Sequence, residues 1–334
     1  MDSTQAIAHP NIALVKYWGK QERAGNFPAT PNVSITLSTL TTHTQVADAE
    51  TDGFFLSGVQ MEDNKINKLL AELREVFTIQ PLRIDSHNNF PTGAGLASSA
   101  SGVAALVTAI NAHCQLGLST ELLSGWARRG SASAARSICG GFVALVPPLW
   151  SAQSLYPIEH WPLNIIVAVT SEAPKAITST LGMDASRLTS PFYKTWLNGA
   201  TDDFAEANDA IARQDFPRLG AIAELNCLKM HSVMLTTQPT LNYWNPATIA
   251  CMETVRKLRE QGHGVFFTID AGPQVKAICL PDDTQAVQTA LDKVPGVIRT
   301  INCTIGTGAR VLEPSDPDYA DSLSAASAHQ LTPG

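Results

Sequence analysis

Charge, paired cysteines and long apolar runs are all scarce in this chain of 334 residues. Asp, Glu, Lys and Arg make up only 16%, and 23 Lys+Arg against 30 Asp+Glu leave a net charge of −7. That balance argues against a nucleic-acid partner, because a phosphate backbone demands a broad basic face. It leaves room for an anionic small molecule, since a few local Lys and Arg can hold phosphate inside an acidic protein. The cysteines are Cys114, Cys139, Cys227, Cys251, Cys279 and Cys303, and none stands in a C-x-x-C pair. Zinc and thioredoxin-type chemistry are disfavoured, and buried free thiols in a reducing compartment are expected. No apolar run approaches the ~20 residues of a membrane span. The first residues, Met-Asp-Ser-Thr-Gln, lack the basic-then-apolar pattern of a secretory signal. A cytoplasmic protein with no membrane partner is expected.

What is present suits a well-packed enzyme. Hydrophobic residues make up 44%, and the length predicts two domains. Residues 34–46 alternate and are rich in β-branched side chains, so they read as one strand. Ile66, Leu69, Leu70, Leu73 and Phe77 recur at helical spacing, and residues 82–86 read as a strand. Val103, Leu106, Val107 and Ile110 mark an Ala-rich central helix. Ser119 is placed to cap the next, which carries Leu122, Leu123 and Trp126. Further strands are expected at 142–146, 163–170, 264–269, 275–279 and 301–305. Helices are expected at 204–213, 216–229, 247–261 and 282–293. The order mixes α and β without strict alternation, which favours an α+β fold. The domains are set at residues 1–165 and 166–314, and a polar tail, 315–334, is expected to be poorly ordered.

The segment Pro91-Thr-Gly-Ala-Gly-Leu-Ala-Ser-Ser-Ala100 carries the strongest chemical signal. Gly93 and Gly95 allow a sharp turn and close backbone approach to a ligand. A helix follows, and its unpaired N–H groups and positive dipole end attract phosphate. Ser98 and Ser99 add hydroxyls that can cap the helix, meet phosphate or ligate magnesium. No Lys-Ser/Thr follows the glycines, so this is not a Walker A loop, and Ser98 stands where a dinucleotide fingerprint needs its third glycine. On composition alone, a plain turn before a buried helix remains open.

The wider string Pro91-x-x-x-Gly95-Leu96-x-Ser98-Ser99-Ala100 resembles the phosphate motif of the GHMP kinase superfamily. Extended to Asn88 and Gly102, it looks like the version in the diphosphomevalonate decarboxylase family. Three more segments agree: Pro10-Asn-Ile-Ala-Leu-Val-Lys-Tyr-Trp-Gly-Lys20, Gly130-Ser-Ala-Ser-Ala-Ala-Arg-Ser-Ile-Cys-Gly-Gly141 and Phe267-Thr-Ile-Asp-Ala-Gly-Pro273. The match runs from about residue 7 to residue 312. It implies an N-terminal domain like ribosomal protein S5 domain 2, a ferredoxin-like C-terminal domain and a site in the cleft between them. A homodimer is implied too, although no residue pattern here independently points to one.

The resemblance also implies roles. Pro91, Gly93, Ala94, Gly95, Leu96, Ala97, Ser98 and Ser99 would bind ATP, with Mg2+ at Ser99. Tyr17, Trp18 and Lys20 would face the substrate, Tyr17 and Lys20 holding its terminal phosphates; Lys16 would lie near the reacting centre. Asn11 would orient the substrate carboxylate, which Arg136 would pair with; the planar guanidinium fork suits that task. Ser131 and Ser133 would bind the diphosphate, and Met183 would border the site. Asp270 would receive or orient the proton of a tertiary hydroxyl as the γ-phosphoryl arrives. Where the family carries an arginine near the start of the first helix, Lys65 stands here. The implied reaction is ATP-dependent decarboxylation of 5-diphosphomevalonate to isopentenyl diphosphate by way of 3-phosphorylation. A decarboxylase acting on mevalonate 5-phosphate, a 3-kinase and a non-catalytic sensor of nucleotide or isoprenoid phosphate are the alternatives. The last two would be expected to lack part of the set Lys16, Arg136 and Asp270 or a loop serine.

Overall fold

A computed structural model of the chain describes residues 3–90 and 98–319. The first half runs β1 (Ser3–Ala8), β2 (Asn11–Val15), β3 (Asn32–Thr36), β4 (Thr42–Asp48), β5 (Gly53–Leu56), β6 (Val59–Met61), α1 (Asn64–Arg74), β7 (Leu82–Asn88), α2 (Ser98–His113), α3 (Thr120–Gly130), α4 (Ala134–Ser137), β8 (Phe142–Leu145) and β9 (Ala152–Tyr156). The second half runs β10 (Asn164–Val169), α5 (Ser179–Thr189), α6 (Tyr193–Ala212), α7 (Phe216–Leu235), α8 (Pro246–Glu260), β11 (Val265–Ile269), β12 (Val275–Cys279), α9 (Thr284–Asp292), β13 (Arg299–Thr304) and β14 (Arg310–Leu312).

Three sheets organise these elements, in strand orders β14-β1-β4-β7-β5-β6, β2-β3-β8-β9 and β11-β12-β10-β13. The mixed α+β character expected from the sequence is what the chain adopts. Near its end the chain returns to the first sheet, where β14 pairs antiparallel with β1.

Residues 34–46 are not one strand. β3 belongs to one sheet and β4 to another, and the chain turns the corner between them. Leu37 and Leu40 are both buried at that corner, and Leu37 bridges to Ile305. Apolar burial therefore continues through the crossing, and the spacing of two that marks a strand is lost only over three residues. Other expected elements are longer or shorter than their patterns. α6 begins at Tyr193, and Phe77 lies beyond the end of α1 while still packing on its core. Ser119 caps α3 as expected, accepting the Leu122 N–H.

Two clusters matter for the site. Small residues on α2 (Ala100, Ala104, Ala105 and Ala109) are fully buried and let the helix lie close on β1 and β4. A second cluster joins the two halves: Val33 and Ile35 of β3 pack with Ile165 and Val167 of β10, Phe216 of α7 and Phe266 of β11. The walls of the cleft described next are thus held together by a continuous apolar core rather than by a hinge of polar contacts.

Candidate active site

β2 ends at Val15, and the next residues carry the chemistry. Lys16 is buried, and its backbone N–H donates to Asn226 Oδ1 at 2.7 Å. Asn226 in turn donates to Asp203, which a Lys229 ammonium also holds at 2.8 Å. This network from α6 and α7 fixes the chain just where β2 stops. Three residues on, Gly19 has φ +125°, and a Cβ there would stand 2.1 Å from the Tyr193 hydroxyl. Only glycine lets the chain turn there and bring Lys20 to the cleft. The Lys20 ammonium donates to Asn26 Oδ1 at 2.8 Å and Thr180 Oγ1 at 3.2 Å.

Asp270 follows β11. β11 and β12 pair antiparallel with Thr268 opposite Lys276. Residues 268 and 270 share a face, so Lys276 reaches Asp270 diagonally. Lys16 Nζ lies 2.7 Å from Asp270 Oδ1, and Lys276 Nζ lies 3.3 Å from Oδ2. Burial works against ionising this carboxyl, but the Lys16 and Lys276 ammoniums overcome it and hold Asp270 well below the usual carboxylate range. At neutral pH it is a carboxylate, and a weak base.

Arg136 sits on the short helix α4, only 3% exposed. The alternation of β3 explains its surroundings. Val33 and Ile35 face the apolar core, while Asn32 and Ser34 face the guanidinium. Nε donates to Ser34 Oγ at 3.0 Å and Asn11 Oδ1 at 3.1 Å, and Nη1 donates to Asn32 Oδ1. All these partners are neutral, and among the described residues Arg136 forms no ion pair. Burial pushes its pKa down to about 10, with the Asp270 charge opposing. It therefore remains a cation at neutral pH. A buried, hydrogen-bonded guanidinium without an anion is a receptor for one.

These groups line a cleft of 540 Å³. Asn11, Lys16, Tyr17, Trp18, Lys20, Lys65, Ser98, Ser99, Ser131, Ser133, Arg136, Met183 and Asp270 all border it, so the structure brings together the site residues expected from the sequence that lie among those described. Pro91, Gly93, Ala94, Gly95, Leu96 and Ala97 lie outside the described residues, as do residues 320–334 of the tail. Several residues are placed more specifically than expected. The Asn11 amide donates to the Ser133 carbonyl and Ser137 Oγ, so Asn11 faces Arg136 with its oxygen only. Trp18 is buried in the wall and gives its indole N–H to Ser186 Oγ at 3.0 Å. The Tyr17 hydroxyl is buried with no hydrogen-bond partner among the described residues. Burial raises the Tyr17 pKa, so the phenol keeps its proton and stays a donor. Ser131 and Ser133 hold their hydroxyls 3.2 Å apart.

The cleft inverts the charge of the whole protein. Among the described residues Lys16, Lys20, Lys65, Lys68, Arg129, Arg136 and Lys175 border it, against the single carboxylate of Asp270. Lys65 and Lys68 also press on Lys20, whose pKa is lowered by burial first and by these two charges in addition. Such a concentration of cations recruits a polyanion. Lys175, Arg129, Asn26, Thr180 and the rear cation Lys276 were not singled out as site residues in the sequence. For Lys276 a signal existed: a lysine in the apolar strand Val275–Cys279 cannot be buried without an anionic partner. Among the described residues His231 forms no hydrogen bond with Lys16, Arg136 or Asp270. It is buried, with Nε2 3.3 Å from the Ile269 carbonyl and its ring 4.6 Å from that of Trp244.

Comparison with known proteins adds a second line of observation. Residues 8–153 match the family model described as diphosphomevalonate decarboxylase-like N-terminal domain, and residues 165–326 match that of the mevalonate 5-diphosphate decarboxylase C-terminal domain. The chain is 32% identical to a diphosphomevalonate decarboxylase of Candida albicans, over 92% of this chain and 97% of that one. Among solved structures it is similar to the mevalonate diphosphate decarboxylase of Staphylococcus aureus, with a TM-score of 0.87, 37% identity and coverage of 93% and 98% of the two chains. A structure of MDDEF in complex with MVAPP, AMPPCP and magnesium gives a TM-score of 0.86 at 36% identity, covering 93% and 99%.

Proposed function

The chain belongs to the diphosphomevalonate decarboxylase family of the GHMP kinase superfamily, and from that membership we propose that it catalyses ATP-dependent decarboxylation of (R)-5-diphosphomevalonate in the mevalonate pathway of isoprenoid biosynthesis. The products are isopentenyl diphosphate, carbon dioxide, ADP and phosphate. One observation carries the reading to this chain: Arg136, buried and without an ion pair among the described residues, shares a cleft with the Lys16–Asp270 pair. A receptor for one carboxylate beside a carboxylate that can receive a hydroxyl matches a 3-hydroxy acid.

The residues divide the work as follows. Arg136 holds the substrate carboxylate, and Asn11, Asn32 and Ser34 keep the guanidinium in place. Tyr17, Lys20, Lys65, Ser131 and Ser133 take the diphosphate end, with Lys68 and Arg129 adding charge at the same mouth. Met183 and Trp18 wall the site. Asp270 Oδ1 accepts a hydrogen bond from the tertiary hydroxyl. Its low basicity suits a loose phosphoryl transfer, in which little proton movement is needed before the transition state. Oxygen attacks the γ-phosphorus of ATP, ADP departs and the proton passes to the carboxylate. The C–O bond of the new phosphate ester then breaks with its electron pair on phosphate. The C–C pair of the carboxylate becomes the alkene bond, and carbon dioxide leaves.

The ATP end is read from Ser98 and Ser99 at the start of α2 and from the glycine-containing sequence 91–97 before them. A divalent cation fits there in one way. Among the described residues no group of three or more His, Cys, Asp or Glu is placed to hold a metal, and Asp270 is occupied by two lysines. Magnesium would therefore ride on the nucleotide phosphates, with the Ser99 hydroxyl as the protein's oxygen donor. When bound it neutralises charge on the triphosphate. The division at residues 1–165 and 166–314 and the cytoplasmic location, both read from the sequence, and the homodimer implied by the family resemblance are part of this proposal. Among the described residues no helix is long and apolar enough to cross a membrane.

The experiment is release of labelled carbon dioxide from C1-labelled mevalonate 5-diphosphate and, in parallel, mevalonate 5-phosphate, each with and without Mg-ATP. ATP-dependent release from the diphosphate is expected. Release from the monophosphate alone would move the substrate, and release from neither would remove the activity.

A further inference from the structure

Asp270 is gripped from two sides that are not equivalent. Lys16 borders the cleft, whereas Lys276, 2% exposed, lies behind the carboxylate. It faces a small void bordered by Pro10, Asn11, Leu37 and Val167. A substrate in the cleft meets Lys16 and Asp270 before it could meet Lys276. β12 also fixes Lys276 rigidly, through pairing with both β11 and β10.

We infer that Lys276 is a positioning residue for the reaction: it clamps Asp270 Oδ2 from behind, which leaves Oδ1 for the substrate hydroxyl and frees Lys16 to follow the incoming phosphoryl group. The inference rests on the function proposed above. With a single lysine, the carboxylate would lose its counter-ion at the moment Lys16 turned towards phosphate. It would then be a partly buried, unpaired anion, which takes up a proton more readily than the paired one. Two lysines on separate oxygens remove that conflict, because one pair persists while the other opens.

Several charged or titratable groups act on Asp270. Lys16 comes from the end of β2, Lys276 from β12, Arg136 from α4 and Lys175 from the segment before α5; Cys227 and His231 come from α7. Burial opposes ionisation of Asp270, and Lys16 and Lys276 are the main forces against it. Loss of Lys276 leaves the burial and removes a cation, so the carboxyl titrates higher. Activity that needs the carboxylate then falls as pH drops through the raised value. Lys276 does not border the cleft, so KM for ATP is expected to stay unchanged.

The test is kcat against pH for carbon dioxide release by the full-length wild type, Lys276→Met and Lys276→Arg, with KM for ATP measured at each pH. Followed from pH 8 to pH 5, Lys276→Met is expected to lose kcat as pH falls through the raised value, about tenfold for each pH unit below it. The wild type and Lys276→Arg should stay flat over that range, and KM for ATP should remain within about twofold in all three. A Lys276→Met profile parallel to wild type, or a Lys276→Arg profile as steep as that of Lys276→Met, would overturn the inference. Lys276→Gln, which keeps a polar end without the charge, is read by the same criterion if the Met variant does not fold. A wild type that releases no carbon dioxide speaks against the proposed function; an active wild type with an unmoved Lys276→Met profile speaks against Lys276 alone.

Discussion

Asn11 Oδ1 accepts a hydrogen bond from Arg136 Nε at 3.1 Å, while the Asn11 amide group is committed to the Ser133 carbonyl and Ser137 Oγ. The orientation of Asn11 is therefore set by residues of the same short segment that carries Arg136. Asn11 has no donor left for a substrate, and its service is to aim the guanidinium. Arg136→Lys keeps a charge but loses the planar fork and the partners at Nε. We expect kcat for carbon dioxide release to fall by about 100-fold or more, as for loss of one preorganised charge-assisted contact, with KM for ATP unchanged. Asn11→Ala should cost less, about tenfold, because Ser34 and Asn32 still hold the guanidinium. An Arg136→Lys enzyme within tenfold of wild type would remove the carboxylate-receptor role. Steady-state kinetics on both variants decide it.

The Tyr17 hydroxyl gives a prediction in which stability and binding separate. It is buried without a partner among the described residues, which leaves an unsatisfied donor there. Tyr17→Phe removes that donor, and the melting temperature should stay level or rise. If the hydroxyl waits for a substrate phosphate, KM for the diphosphate should rise by about tenfold, the worth of a hydrogen bond to a charged group. Thermal melts and kinetics on one preparation test both halves. A fall in stability with unchanged KM would make the hydroxyl structural.

The sequence showed the site better than the fold. Lys16, Arg136 and Asp270 lie in local strings, each a few residues long, so their chemistry could be read without knowing what they touch. The corner between β3 and β4 was invisible because Leu37 and Leu40 keep the apolar signal going through it. β5 and β6 are half-exposed or exposed and carry no alternation for a pattern to reveal. β14 is three residues long and exists through its pairing with β1, some three hundred residues earlier in the chain, which no local window contains. Lys276 was passed over for a related reason: its significance is the distance to Asp270, which the turn between β11 and β12 creates.

Lys65 stands where relatives of this sequence type are expected to carry arginine. It is exposed at the cleft mouth, beside Lys68, which lies 3.9 Å from Glu72. An exposed ammonium attracts phosphate through solvent and is screened by salt. Lys65→Ala should raise KM for the diphosphate about three- to tenfold at low ionic strength, and by much less in 0.5 M salt, the Debye length there being only about 4 Å. Lys65→Arg should bind at least as well as wild type, because the fork adds a bidentate option. A salt-independent loss in Lys65→Ala would mean that the lysine acts through packing instead.

His231 makes the fold sensitive to acid in a window that Asp270 does not share. Burial pushes its pKa down to about 3, and the nearby Lys16 charge adds to the effect. In the unfolded chain the imidazole titrates near 6.5. Between those values the unfolded state binds a proton that the folded state refuses, so stability rises with pH across the window and is lost as pH falls from about 6.5. For this one group the loss between pH 8 and pH 5 is on the order of 2 kcal/mol. Asp270 has the opposite placement: its folded pKa lies below the unfolded value of about 3.9, so its contribution is intact at pH 5 and is lost only in stronger acid. His231→Gln removes the titration and can still reach the Ile269 carbonyl. Urea unfolding of wild type and variant at pH 8 and pH 5 should therefore show a smaller pH loss in the variant, by on the order of 2 kcal/mol, with other groups cancelling in the difference. Equal losses in the two proteins would mean that His231 is accessible to protons in the folded state, and that its packing against Trp244 opens.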